Sequence, residues 1–134
     1  MKKPVGVLGI AITVVVLPLT AHYALIELSG EVAVVRTQTN MGTWKDVRLW
    51  IVDDGDVAWL HGGDSAWMSN LRANPGVDVI RDGKRRRYTA TAMEGPHPHV
   101  HELLRAKYGI ADLWVRFIGP DGPETVAVKL ERLY

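Results

Sequence analysis

The chain contains no cysteine, which excludes disulfides, thiolate metal sites and thiol nucleophiles together. It also lacks any strong excess of one charge: 16 Lys and Arg stand against 15 Asp and Glu, a formal net charge of +1. That balance gives no general attraction for nucleic acid or for an acidic partner. No internal repeat and no low-complexity tract is present, and no Ser-His-Asp or paired-carboxylate arrangement emerges. A hydrolase is not assigned. The missing cysteines leave the compartment open, because a disulfide-free domain can sit on either side of a membrane.

Charge is absent from one long stretch as well. Between Pro4 and Ile26 there is no Lys, Arg, Asp or Glu. As a helix this run would be about 35 Å long, enough to cross about 30 Å of hydrocarbon. Lys2 and Lys3 precede it, and three readings compete. A cleaved signal peptide needs a small-x-small site, which Leu19-Thr20-Ala21 and His22-Tyr23-Ala24 supply poorly. A helix buried against the domain or a partner subunit is the second. A retained membrane anchor fits the length best, with His22 and Tyr23 near an interface and Pro18 tolerated as a kink. Residues 1–28 are thus read as an anchor or signal segment and 29–134 as the folded domain. The lysines on one flank and Glu27 and Glu31 on the other place that domain outside the cytoplasm by the positive-inside rule.

About 100 residues remain for one compact core. Residues 31–38 alternate as a strand, and 45–52 form a second strand after a turn at 39–43. Asp54-Gly55 signals a hairpin that pairs this second strand with a third at 57–61. Gly62 and Gly63 break the third strand, and Asp64 or Ser65 can cap a helix over 66–73 that Asn74-Pro75-Gly76 stops. Strands at 77–80 and 85–92 join across Asp82-Gly83. A helix follows over 98–108 with Leu103, Leu104 and Tyr108 on one side and Gly109 at its end. A last strand spans 124–130 after the turn at 119–123. This order predicts a mainly β, α+β fold: an antiparallel barrel or roll with two short helices.

The most specific stretch is Trp67-Met-Ser-Asn70-Leu-Arg-Ala-Asn74-Pro75, preceded by His61-Gly62-Gly63 and followed by a strand. It resembles the deazaflavin-dependent nitroreductase and quinone reductase family, within the split β-barrel superfamily that includes the pyridoxamine-phosphate oxidases. The likeness covers about 32–94 in element order. It implies a reductase that binds a deazaflavin coenzyme or flavin mononucleotide and passes hydride to a quinone-like or nitro acceptor. It also implies a homodimer, since split barrels commonly build the ligand slot across a dimer interface. In this family the turn after the first strand carries Gly-Arg-Lys-Ser/Thr-Gly, which holds the coenzyme's anionic tail. Here the turn is Asn40-Met-Gly-Thr43-Trp44 with Lys45 beyond. The compact two-cation grip is missing, which shifts the balance toward flavin mononucleotide, haem or no cofactor.

A ring-and-phosphate cofactor needs an apolar slot, backbone N–H groups near the ring edge and cations near the phosphate. Thr43, Lys45 and Arg48 are the candidates for phosphate, with Arg36 nearby. Gly62 and Gly63 would let backbone approach the ligand, and His61, Trp50, Trp67 and Asn70 complete the candidate site. Trp44, Trp50, Trp59 and Trp67 could together wall a ring slot, although tryptophans in a small barrel are more often core. Asn70 is equally able to bridge backbone. No catalytic acid or base is named, since the cofactor carries such chemistry. His97, His99 and His101 alternate, but in a loop entering a helix they would not share one face, and no metal is assigned. The run Lys84-Arg85-Arg86-Arg87 reads as a solvated hairpin edge, or as a contact for anionic lipid if the domain is cytoplasmic. Two functions are carried forward. One is the membrane-proximal reductase; the other is a cofactor-free split-barrel module for binding or assembly at a membrane.

Overall fold

Val32-Ala-Val-Val opens a strand because its β-branched residues fit a pleated, half-buried surface. Every second residue of β1 (Val32–Gln38) is buried: Ala33, Val35 and Thr37. The computed structural model describes residues 19–21, 30–63 and 65–133. The expected membrane anchor lies outside the described residues apart from a helical turn at 19–21, and no helix among the described residues is long and apolar enough to cross a membrane. The compact unit that carries the sites spans Glu31–Tyr134.

After β1 come β2 (Trp44–Trp50), β3 (Val52–Asp54), β4 (Val57–Gly62), α1 (Ala66–Ala73), β5 (Gly76–Arg81) and β6 (Lys84–Glu94). Then follow α2 (Pro98–Tyr108), α3 (Ile110–Ile118) and β7 (Val126–Arg132). The strands form one antiparallel sheet in the order β2-β1-β5-β6-β7-β4-β3. Asp82 and Gly83, at φ 51 and 73, form the loop between β5 and β6; two successive left-handed residues are what a two-residue hairpin with right-twisted strands requires. The sequence-based hairpin at Asp54-Gly55 exists, but it joins β4 to the short β3, through Asp54↔Val57. β2 pairs with β1 instead. The chain leaves one strand at Trp50 and enters the next at Val52, so Ile51 interrupts what reads as one strand.

That interruption shapes the whole sheet. β2 and β3 are its two opposite edges, yet only Ile51 separates them in sequence. One residue spans at most about 7 Å between its neighbours' Cα atoms, so the sheet must curl until its edges meet. The inner face of the curl holds Ala33, Val35, Ala58, Leu60, Val77, Val79, Tyr88, Ala90, Val126, Val128 and Leu130. Met68 and Leu71 of α1 enter the same core, and truncating such a side chain to Ala costs on the order of 2–5 kcal/mol.

Polar side chains gather where the edges meet. Ile51 is fully buried, and its N–H donates to the Tyr108 hydroxyl at 3.2 Å. Lys107 Nζ donates to the Ile51 carbonyl at 2.6 Å and to Glu31 at 2.7 Å. Arg81 of β5 donates to both carboxylate oxygens of Glu31 and to both of Asp53 on β3, at 2.7–2.8 Å. Trp50 stacks on Tyr108 with ring centroids 4.2 Å apart. Burial pushes the Tyr108 hydroxyl up to about 12, so it remains a donor. The Arg81 guanidinium, and the Lys107 ammonium after it, hold Glu31 down at about 2 against the opposing effect of burial.

A carboxylate with a lowered folded-state pKa stabilises the fold above its unfolded pKa, near 4.5, and loses that contribution as pH falls toward its folded value. Glu31→Gln should therefore lower stability at pH 7 by about 1–2 kcal/mol, discounted for partial exposure. It should also flatten the acid limb between roughly pH 5 and pH 2, which urea denaturation at stepped pH would measure.

The helix over 66–73 and the helix over 98–108 have the bounds read from the sequence. α3 was not anticipated. Its polar side chains point inward: Asp112 is fully buried and accepts a hydrogen bond from Arg105 at 2.9 Å. Its outward residues are Ile110, Leu113, Trp114, Phe117 and Ile118, all exposed. These apolar residues fall at i, i+3, i+4, i+7 and i+8, the spacing of an amphipathic stripe, and here that stripe faces outward.

Candidate functional site

A cleft of about 540 Å³ opens between the end of the β1–β2 hairpin and the start of α1. Thr39, Lys45, Asp46 and Val47 line it from the hairpin, and Ser65, Ala66, Trp67 and Asn70 from the helix. The hairpin end is closed by backbone bonds from Thr39 N to Thr43 O (2.8 Å) and from Gly42 N to Thr39 O (3.0 Å). Ser65 takes the N-cap position with extended backbone but makes no side-chain cap bond, and its buried hydroxyl has no partner among the described residues. Asp64, the other cap candidate, lies outside the described residues.

Two asparagines fasten α1 to the barrel. Asn70 Nδ2 donates to the hydroxyl of Thr37, the fully buried polar residue of β1, at 3.2 Å. Asn74 Nδ2 donates to the Gln38 carbonyl at 3.2 Å. Asn70 thus bonds a side-chain hydroxyl of β1, not backbone, and also lines the cleft. Gly62 makes room for Trp67: a Cβ there would stand 2.9 Å from Trp67 Cζ2, so a larger residue would have to displace the indole.

The structure brings together part of the expected site. Lys45, Trp67 and Asn70 share the cleft. Thr43 does not line it; its hydroxyl is bonded to Thr39 Oγ1 at 2.7 Å, and Thr39 takes the lining place. Strand alternation puts Lys45 with Val47 and Leu49, which pack toward the core, and puts Arg48 and Trp50 on the opposite face. Arg36 is paired to Asp46 by two bonds, at 2.8 and 3.1 Å. The expected wall of four tryptophans is dispersed. Trp50 stacks on Tyr108, Trp59 Nε1 donates to Asp54 at 3.3 Å, and Trp44 lies under the Arg87 guanidinium at 5.7 Å. Only Trp67 of the four lines this cleft. Gly63 borders a separate recess with Pro120, Gly122 and Thr125.

His61 also lies elsewhere. On β4 the buried Ala58 and Leu60 face the core, so His61 projects to the other side, beneath the start of α2. There its ring lies 4.4 Å from that of His101 and 6.2 Å from that of His97, both edge-on. Asp121, from the loop before β7, joins them. Its Oδ1 lies 3.1 Å from His101 Nε2 and 3.6 Å from His61 Nε2. Burial pulls the His61 imidazole down to about 4, so it is neutral at pH 7. Burial alone would raise Asp121, but hydrogen bonds from the Thr125 hydroxyl and the His97 N–H hold its carboxyl well below the usual range. His99 is set apart, exposed and paired with Asp54 at 2.9 Å. Of the alternating histidines only His99 is set in solvent. His97 and His101 gather with His61, which the sequence did not indicate, and Asp121 was not picked out because its partners lie far from it in sequence.

No protein-family model and no curated protein matches the sequence. Solved structures do. A putative pyridoxamine 5′-phosphate oxidase from Listeria innocua superposes with a TM-score of 0.59 at 20% identity, over 86% of this chain and 93% of that one. An F-420 reductase gives 0.56 at 19% identity, over 83% and 92%. A haem-binding protein from Mycobacterium smegmatis gives 0.53 at 16%, over 83% and 50%. At these identities the likeness establishes the fold alone: the antiparallel curled sheet with short helices is a split barrel like theirs. Proteins of this fold include an F-420 reductase and a haem-binding protein, so the fold by itself fixes no activity.

Two outcomes test the local account. Asn70→Ala should cost about 1–3 kcal/mol by stranding the buried Thr37 hydroxyl, and much less in a Thr37→Val background; a denaturation double-mutant cycle reads the difference. Gly62→Ala should displace the Trp67 ring, seen as an altered near-ultraviolet circular dichroism spectrum with the far-ultraviolet spectrum retained.

Proposed function

We propose that the cleft between the β1–β2 hairpin and α1 binds a flavin-type cofactor, and that the protein is a reductase. Bound there, the cofactor supplies hydride to a hydrophobic acceptor of the quinone or nitro class. The observation that carries this reading is the donor set of the cleft: the Trp67 ring, the unpartnered Ser65 hydroxyl, the first amides of α1 and the Lys45 ammonium. An aromatic wall suits a planar ring, and a helix start with one cation suits one phosphate. This chain's own residues bind and orient; no side chain in the cleft is assigned a proton-transfer role.

The charges of the cleft favour flavin mononucleotide over a coenzyme with a long polyanionic tail. Lys45 is the one cationic residue lining it, Asp46 contributes a carboxylate, and Arg36 is committed to Asp46. Homodimerisation belongs to this reading, because an open cleft at the end of a barrel excludes water from a bound ring only when a second surface covers it.

Absorbance and fluorescence scans of the detergent-purified full chain, followed by titration with flavin mononucleotide, riboflavin and the deazaflavin coenzyme, test the reading. Micromolar binding of flavin mononucleotide is expected. Lys45→Glu should weaken it by about tenfold, the loss of one charge-assisted contact worth about 1.4 kcal/mol, and leave riboflavin unaffected. No chromophore and no binding of any of the three would remove the enzyme claim.

A second reading is favoured by α3, whose exposed Ile110, Leu113, Trp114, Phe117 and Ile118 form an apolar face. Contiguous exposed apolar surface marks interaction sites. A cofactor-free barrel that docks through this helix, at a membrane or against a second copy, would lose self-association or vesicle binding in Phe117→Asp. The reductase would retain its flavin titration in the same variant.

A further inference from the structure

The histidine cluster on the outer side of β4 has no part in the cofactor cleft. His61 comes from β4, His97 and His101 from the start of α2, and Asp121 from the loop that returns the chain to β7. We propose that His61 Nε2, His101 Nε2 and Asp121 Oδ1 bind one divalent transition-metal ion of borderline softness, with Zn²⁺ as the representative.

The spacing is that of ligands around a shared centre. The three donor atoms all lie within 4.8 Å of one another, with Oδ1 at 3.1 and 3.6 Å from the two imidazole nitrogens. Tetrahedral bonds of about 2.0–2.1 Å place neighbouring ligand atoms about 3.3–3.4 Å apart. The aim of the donors agrees. His101 Nε2 is within contact distance of Asp121 Oδ1, yet neither it nor His61 Nε2 makes an aligned hydrogen bond with any described group. Donors that converge on a common point face that point and not one another. Buried polar atoms are nearly always hydrogen-bonded, and here both Nε2 atoms are buried with only the Asp121 contact and no aligned hydrogen bond among the described residues; the His61 side chain is 7% exposed. His97 stands beside them, and its Nε2 is likewise buried and unpartnered.

The support around the ligands is also in place. Asp121 is oriented by the Thr125 hydroxyl at 2.6 Å and the His97 N–H at 2.8 Å, the kind of outer contacts that fix a ligating carboxylate. The neighbouring cation, Arg116, is turned toward Asp112 at 3.5 Å and the Gly119 carbonyl at 3.4 Å. Two imidazoles with one carboxylate suit zinc and its transition-series neighbours, whereas all-oxygen sets suit magnesium and calcium. A metal here would pin the start of α2 and the 119–123 loop to β4.

The test uses the full chain stripped by chelator and titrated with Co²⁺ as a visible probe, then with Zn²⁺ in competition. One saturating equivalent with four-coordinate Co²⁺ bands, displaced by Zn²⁺, is expected. His101→Ala and Asp121→Asn should each weaken binding by more than the roughly 10–100-fold that loss of an outer partner such as Thr125 costs. His99→Ala, which removes the exposed histidine, should change nothing. Absence of a saturable Co²⁺ spectrum in the unaltered chain would overturn the proposal, whatever the variants do. So would binding that survives in His101→Ala or vanishes in His99→Ala.

Discussion

The fold depends on a single buried residue that holds two sheet edges together. β2 and β3 lie at opposite ends of a seven-stranded order, yet Ile51 alone connects them. Chain connectivity therefore forces the curl, and the side chains at that point make it tolerable. A buried residue between two strands leaves its backbone N–H and C=O without ladder partners, and each orphan would cost free energy comparable to a lost hydrogen bond. Tyr108 and Lys107 take up both groups. Arg81 then links β5 to the β3 edge through Asp53 and to the chain entry through Glu31. Isolated surface ion pairs contribute little, but here two cations and two carboxylates share one partly buried cluster at the closure.

Closure also decides where function can reside. The inner face holds mainly aliphatic side chains, with Met68 and Leu71 of α1 among them. Among the described residues, a cleft lies at the rim between the β1–β2 hairpin and α1, and a cluster of potential ligands lies on the outside of β4 beneath the start of α2. The rim cleft has an aromatic wall and one cation, whereas the outer cluster has imidazoles and a carboxylate. The two differ in chemistry because they draw on different elements, the cleft on the β1–β2 hairpin and α1, the cluster on β4, α2 and the loop before β7.

Much of the fold was legible in local signals. The helix over 66–73 has its capping region and its Asn-Pro-Gly stop, the loop at Asp82-Gly83 has two residues tolerant of positive φ, and Pro98 and Gly109 bracket the next helix. What failed was non-local. The break at Ile51 has no turn residue to announce it, since it is specified by a tyrosine 57 residues away. α3 was missed although Ile110, Leu113, Trp114, Phe117 and Ile118 keep the spacing of an amphipathic helix; that spacing does not tell which way the stripe faces. In the site, Lys45, Trp67 and Asn70 were found through a contiguous motif and its neighbouring turn. Trp50 was grouped with them through the family likeness, and Arg48 and His61 as neighbours of the turn and the motif; strand alternation placed all three elsewhere. Asp121 carried no signal of its own in a Gly-Pro-Asp-Gly-Pro turn, where aspartate is an ordinary turn former.

Native-state hydrogen exchange of the Ile51 amide tests the closure most directly. If closure at Ile51 is integral to the fold, this N–H opens only with global unfolding, and its exchange free energy lies within about 1 kcal/mol of the most protected core amides, such as that of Val79. Exchange at the rate of the exposed 39–43 turn would contradict the account, because the two sheet edges would then part freely while the rest of the barrel stayed folded.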